Sequence, residues 1–183
     1  MSALSSSLVF LIQILGSLYI MAVLLRFILQ LVRADFYNPI SQAIVKITAP
    51  LLNPLRKIIP GVGGMDIASL VLALALQIGL IYALYMLQGF ALAAIPFPTV
   101  LFLSLRELAV EVLNIYMFSL IVIAIASWVA AGSYNPGLML LHQITEPLSS
   151  RIRKIIPPVG GLDFSLMVLV LIIITLKNFI AAL

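Results

Sequence analysis

The sequence predicts an all-α membrane protein: four transmembrane helices in two parallel tandem repeats, each with a cytoplasmic interfacial amphipathic helix broken by proline. Three observations predict it. Of the 183 residues, 64% are hydrophobic and 9% charged, with mean hydropathy +1.27, whereas a soluble domain carries about 25% charged residues. Four apolar runs approach or exceed the roughly 20 residues that a spanning helix needs. Finally, one polar, basic stretch occurs twice. Arg56-Lys57-Ile58-Ile59-Pro60-Gly61-Val62-Gly63-Gly64-Met65-Asp66 returns 97 residues later as Arg153-Lys154-Ile155-Ile156-Pro157-Pro158-Val159-Gly160-Gly161-Leu162-Asp163. Upstream, Tyr37-Asn38-Pro39 aligns with Tyr134-Asn135-Pro136, and 16 of the 30 positions from Tyr37 to Asp66 are identical without a gap, as in a duplication.

The first repeat covers 1–95. Its first span runs from about Leu8 to Val32. The tail before it has no basic side chain, and the apolar run exceeds the 7–15 residues of a signal-peptide core, so a retained helix is expected. In the interfacial element, 37–66, Ile40, Ile44, Ile47, Leu51, Leu55 and Ile58 recur at steps of three and four. Ser41, Gln42, Lys46, Asn53, Arg56 and Lys57 lie off that stripe, the pattern of a helix lying in an interface. Pro50 should kink or divide it, and Pro54 should break it again. Pro60 closes the helix, and Gly63 and Gly64 permit backbone angles denied to other residues. Asp66 then stands where an N-cap carboxylate satisfies orphan amides and the helix dipole. The second span runs from about Ile67 to Ile95 and is stopped by Pro96-Phe97-Pro98.

Residues 96–107 read as an outer-face linker, and 108–183 as the second repeat. Its spans run from about Leu108 to Ala131 and from about Phe164 to Leu183. Its element, 134–163, places Leu138, Leu141, Ile144, Leu148, Ile152 and Ile155 on the stripe, with Pro147 matching Pro50. Pro157, Gly160, Gly161 and Asp163 repeat the closing turn. The turn reads as a hinge from interfacial to spanning helix. The competing reading is a Gly-rich anion or headgroup site, although neither copy has the Gly-Lys-Ser/Thr of a phosphate-binding loop.

Charge sets the orientation. The repeat-bearing loops hold Arg33, Lys46, Arg56, Lys57, Arg151, Arg153 and Lys154, while the opposite side offers Arg106. The elements should be cytoplasmic and both termini outside. Two spans per repeat make the repeats parallel, so the two elements should flank each other.

Ionisable and polar groups within spans are functional candidates. Lys177 and Glu111 are expected to pair between spans four and three, Arg26 to snorkel toward headgroups, and Gln77 to hydrogen-bond between helices. Trp128 and Tyr134 suit an aromatic belt, and His142 a wet surface.

The net charge of +4 comes without a basic soluble face, which argues against a nucleic-acid partner. The absence of cysteine excludes disulfides and thiolate sites, and a single histidine excludes a multi-histidine site within one chain. No nucleophile–base pair or carboxylate pair marks the repeated element, so neither an enzyme nor a bound cofactor is expected.

The paired Asn-Pro…Arg-Lys-Ile-Ile-Pro-x-Val-Gly-Gly-x-Asp elements on a four-span frame resemble the YggT (YlmG-like) family of small bacterial and plastid membrane proteins. The likeness covers nearly the whole chain, with Pro158 in place of Gly61 and Arg151 in place of Pro54 in the second copy. It implies an inner-membrane location and links to osmotic or ion-stress tolerance and envelope organisation. Plastid relatives are linked to haem attachment and nucleoid distribution, but this chain has few haem ligands of its own. The expected function is a non-enzymatic scaffold or assembly factor. It would engage anionic lipid, a protein partner or a second copy through Arg56, Lys57, Arg153 and Lys154. The alternative is an oligomeric ion channel or transport subunit.

Overall fold

The computed structural model describes residues 3–92, 95–129, 135–156 and 163–183. Its helices are α1 (Ala3–Leu31), α2 (Pro39–Ile58), α3 (Ile67–Leu87), α4 (Phe97–Val129), α5 (Pro136–Arg153) and α6 (Phe164–Ala181). Among them, α1, α3, α4 and α6 are long and apolar enough to cross a membrane, while α2 and α5 are short connecting helices. The order span, short helix, span therefore occurs twice.

Helical periodicity places Ile20, Val23, Leu24 and Ile28 on one face of α1. There they pack with Leu52 of α2, Leu72 and Ala73 of α3, Ile115 of α4, and Leu140 and Ile144 of α5. A smaller core joins Leu120 of α4 to Leu169 and Ile173 of α6. Phe10, Leu15, Phe118 and Phe179 remain more than half exposed on the outer faces, a surface that water would penalise and lipid would not.

The spans depart from the sequence reading at two ends. α3 stops at Leu87 and does not continue to Ile95. Gly89 takes φ +89°, the Gly89 and Phe90 amides donate back to Met86 and Tyr85, and the Tyr85 and Phe90 rings meet at 5.5 Å. That is a Schellman cap with its hydrophobic contact, and it stops the helix before Pro96 is reached. α4 begins at Phe97 and not at Leu108. Pro96 precedes it and Pro98 lies in its first turn, where a missing N–H costs nothing, so the expected linker is helix.

The prolines do not break the short helices. α2 runs unbroken through Pro50 and Pro54, and α5 through Pro147. Pro50 and Pro54 are four residues apart and both exposed, so the bonds they forgo lie on one outward side. The start of each short helix is fixed identically. Asn38 accepts from the Ile40 amide at 2.9 Å and Asn135 from the Gly137 amide at 2.8 Å, with Pro39 and Pro136 in the first helical position.

The expected apolar stripe of α2 splits in two. Ser41, Thr48 and Leu52 are buried and Ile44 and Leu55 half-buried against the spans. Ile40, Ile47, Leu51 and Ile58 remain exposed, Ile58 at 82%. In α5 the corresponding stripe is largely packed: Ile144 is buried, Leu138, Leu141, Leu148 and Ile152 are half-buried, and Ile155 is exposed.

Candidate functional site at the duplicated elements

In the first copy, Gly63 and Gly64 take φ +61° and +81°. Val62 and Met65 exchange backbone bonds of 3.2 and 3.0 Å across them. A two-residue hairpin of this kind needs positive φ at both central positions. It turns the chain back so that Asp66 meets Arg56 of α2. Asp66 is 4% exposed. Its Oδ2 accepts from Arg56 Nε at 3.1 Å, from Arg56 Nη2, and from the Ser69 hydroxyl. Burial alone would raise the Asp66 pKa, but the Arg56 and Ser69 hydrogen bonds and the guanidinium charge outweigh it. They hold the carboxyl below its usual range. Asp66 occupies the N-cap position of α3 but makes no side-chain cap bond; its Oδ2 serves Arg56 and the Ser69 hydroxyl instead.

The second copy uses the same residues differently. Arg153 Nη2 donates to Glu146 Oε2 at 2.8 Å and to Ser149 Oγ at 3.0 Å. Its Nε lies 3.2 Å from Asp163 Oδ2, an ion pair without hydrogen-bond geometry. Asp163 caps α6 as expected, accepting from the Ser165 amide at 3.0 Å and from the Ser165 hydroxyl. The two elements adjoin: Asn38 Nδ2 donates to the Pro136 carbonyl at 2.7 Å, and the Asp35 amide to Gln143 Oε1 at 2.9 Å.

Of the four basic residues singled out in the sequence, Arg56 and Arg153 are thus committed to carboxylates. Lys57 and Lys154 are exposed, as is Lys46, and none of the three makes an ion pair among the described residues. Pro60, Gly63 and Gly64 are exposed at the turn, while Pro157, Gly160, Gly161 and Tyr134, and the side chain of Trp128, lie outside the described residues. His142 is exposed.

Three expectations for the spans are corrected. Arg26 does not snorkel. It is 6% exposed and its Nη1 donates to the Val45 carbonyl at 3.0 Å and to Thr48 Oγ1 at 2.7 Å. α2 lies over the end of α1, so its backbone and Thr48 supply partners for Nη1 of the guanidinium. Lys177 and Glu111 do not pair. Glu111 accepts from Asn114 at 3.2 Å and lines a cleft with Gln13 and Ser17 of α1, whereas α6 packs on the α4 face bearing Leu113, Met117 and Leu120. Gln77 makes no hydrogen bond among the described residues. The α3 face that meets α1 carries Leu72, Ala73, Leu76 and Leu80, and Gln77 lies beside it.

Two features had no place in the sequence reading. Arg106 Nε and Nη2 donate to the Ile180 and Ala181 carbonyls at 3.2 and 2.9 Å, capping α6. Arg33 has φ +54°, the only positive φ outside glycine among the described residues. The Arg33 and Ala34 amides donate back to Gln30 and Leu29, so Arg33 holds the Schellman position that Gly89 holds in α3. The Asn-Pro pairs were a legible capping signal. Nothing in the sequence marks Arg33. A cleft of about 280 Å3 opens here, lined by Arg26, Gln30, Arg33, Phe36, Ser41 and Arg56 among others. Among the described residues, no three His, Cys, Asp or Glu side chains are placed to hold a metal.

Four helices long and apolar enough to cross a membrane define a multi-pass, all-helical membrane protein. The chain belongs to the CCB3/YggT family, whose model matches residues 5–88 and again 102–183. An uncharacterised protein of Pseudomonas aeruginosa is 50% identical over 165 residues, covering 90% of this chain and 83% of the relative. An uncharacterised Vibrio alginolyticus protein is 43% identical over 164 residues, covering 90% and 88%. The uncharacterised protein YggT of Escherichia coli K12 is 37% identical over 182 residues, covering 96% and 90%. No solved structure matches the chain.

Proposed function

We propose that the protein is a non-enzymatic inner-membrane scaffold or assembly factor. Its short helices lie at the cytoplasmic interface and gather anionic lipid headgroups for a partner or a second copy. The observation that carries this reading is the outer surface of α2. Ile40, Ile47, Leu51 and Ile58 stay exposed along one strip, with Lys46 and Lys57 exposed beside it. An apolar strip sinks into the acyl boundary while flanking lysines reach headgroups, and each such lysine contributes about 1 kcal/mol at an anionic surface.

The duplicated arginines brace each element, so recognition falls to Lys46, Lys57 and Lys154. Of the four sequence-level candidates this keeps Lys57 and Lys154, and it adds Lys46, which lies exposed beside the apolar strip. Links to envelope organisation or to osmotic and ion stress would follow from gathering charged lipid around a partner. Native mass spectrometry of full-length protein released from mixed phosphatidylglycerol/phosphatidylethanolamine nanodiscs tests the reading. The parent protein should retain phosphatidylglycerol preferentially, and the triple variant Lys46→Gln, Lys57→Gln, Lys154→Gln should lose that preference with its Tm intact. Equal retention of both lipids by the parent would defeat the proposal.

A further inference from the structure

The cleft at the end of α1 has a polar lining for which the paired helices account only in part. Arg26 uses Nη1 toward α2, which leaves the N–H groups of Nε and Nη2 without a partner among the described residues. Gln30 accepts from Arg56 through Oε1 at 3.1 Å, so its amide N–H groups remain available. Ser41 is 4% exposed and its Oγ has no hydrogen-bond partner among the described residues. A buried hydroxyl without a partner is rare and destabilising unless something fills the space beside it. Arg56 is matched by Asp66, whereas Arg26 and Arg33 have no carboxylate partner among the described residues.

Arg33 is also held at a backbone angle that glycine would adopt more easily. A strained residue retained at a cleft points to a use for its side chain. The second repeat shows that the scaffold itself does not demand this lining. The 97-residue offset, which places Tyr19 on Tyr116, puts Ile123 at the place of Arg26, Ala130 at Arg33 and Leu138 at Ser41. Of the three arginines only Arg56 has a basic counterpart, Arg153.

We propose that this cleft binds a phosphoryl group, through the guanidinium forks of Arg26 and Arg33, the free face of Arg56, and the Gln30 and Ser41 donors. Planar guanidinium groups match phosphate oxygens in pairs. The cleft volume of about 280 Å3 lies at the lower edge of the roughly 300–1,000 Å3 of small-molecule sites, so it suits a headgroup or a free phosphate better than a larger ligand. Phe36, at 60% exposure, adds an apolar wall at the mouth. The assignment deepens the proposed function and rests on it for the depth of the cleft at the headgroups.

Full-length protein in zwitterionic micelles is titrated at constant ionic strength. One arm uses radiolabelled inorganic phosphate, the other short-chain phosphatidylglycerol and phosphatidic acid. Saturable binding is expected, and the arm that shows it identifies the source. Arg33→Gly should weaken that binding roughly tenfold, as loss of a charge-assisted hydrogen bond does, yet raise Tm by relieving the positive φ. Ser41→Ala should weaken binding while leaving the Tm of the ligand-free protein no lower than the parent's. The Lys57→Gln, Lys154→Gln double variant should bind the probe like the parent even where it loses phosphatidylglycerol preference in nanodiscs, so the two readings fail separately. The proposal is overturned if neither probe saturates, or if Arg33→Gly binds as the parent does.

Discussion

The two copies of the Arg–Asp turn share their sequence but not their burial. Asp66 is 4% exposed and accepts through Oδ2 from both Arg56 and Ser69, whereas Asp163 is 30% exposed, caps α6 and only leans on Arg153. The difference begins with neighbours outside the repeated motif. Ser69 sits one turn into α3, where the second copy has Leu166, and Glu146 competes for Arg153 where the first copy has Ala49. A duplicated motif thus fixes which residues meet. Flanking residues decide whether the meeting is a buried lock or an open brace.

The largest effects are expected at the carboxylates. Asp66→Asn should destabilise the protein by about 2 kcal/mol, less than the 3–5 kcal/mol of a fully buried pair because Arg56 is partly solvated. Asp163→Asn should cost under about 1 kcal/mol, since asparagine caps a helix nearly as well as aspartate. Reversible unfolding in micelles measures both. Gly63→Val should cost about 1–2 kcal/mol, because a β-branched residue is strained at positive φ, and Gly63→Asn clearly less.

A pH titration sharpens the same contrast. The folded-state pKa of Asp66 lies below its unfolded value, so its contribution is complete above the unfolded pKa and is lost as pH falls through the folded one. Unfolding followed below about pH 4 should show that loss in the parent and not in Asp66→Asn. The smallest effect is expected from Arg106→Ala, about 0.5–1 kcal/mol, for removing a cation from the C-terminus of α6. Loss of protection at the Ile180 and Ala181 end in hydrogen exchange would register it.

Much of the fold was legible because hydropathy and the glycine pattern are plain signals: the starts of α3 and α6 and the turn at Gly63-Gly64 all follow from them. Helix ends were less so. The Gly89 cap was within reach of a pattern reading, but the proline cluster after it looked the stronger stop. At the cleft, Arg26 and Arg56 were visible as charges, yet their direction depends on α2 lying over α1, which no local pattern states. Arg33 was unreadable for a different reason: arginine at a position suited to glycine carries no sequence signature.

Arg56–Asp66 is a buried lock and Arg153–Asp163 an open brace. Double-mutant cycles with Arg→Gln and Asp→Asn changes in each pair, read by reversible unfolding, measure the difference. The coupling energy should be at least about 1 kcal/mol larger for Arg56–Asp66 than for Arg153–Asp163. Equal couplings, or a larger one in the second repeat, would contradict it.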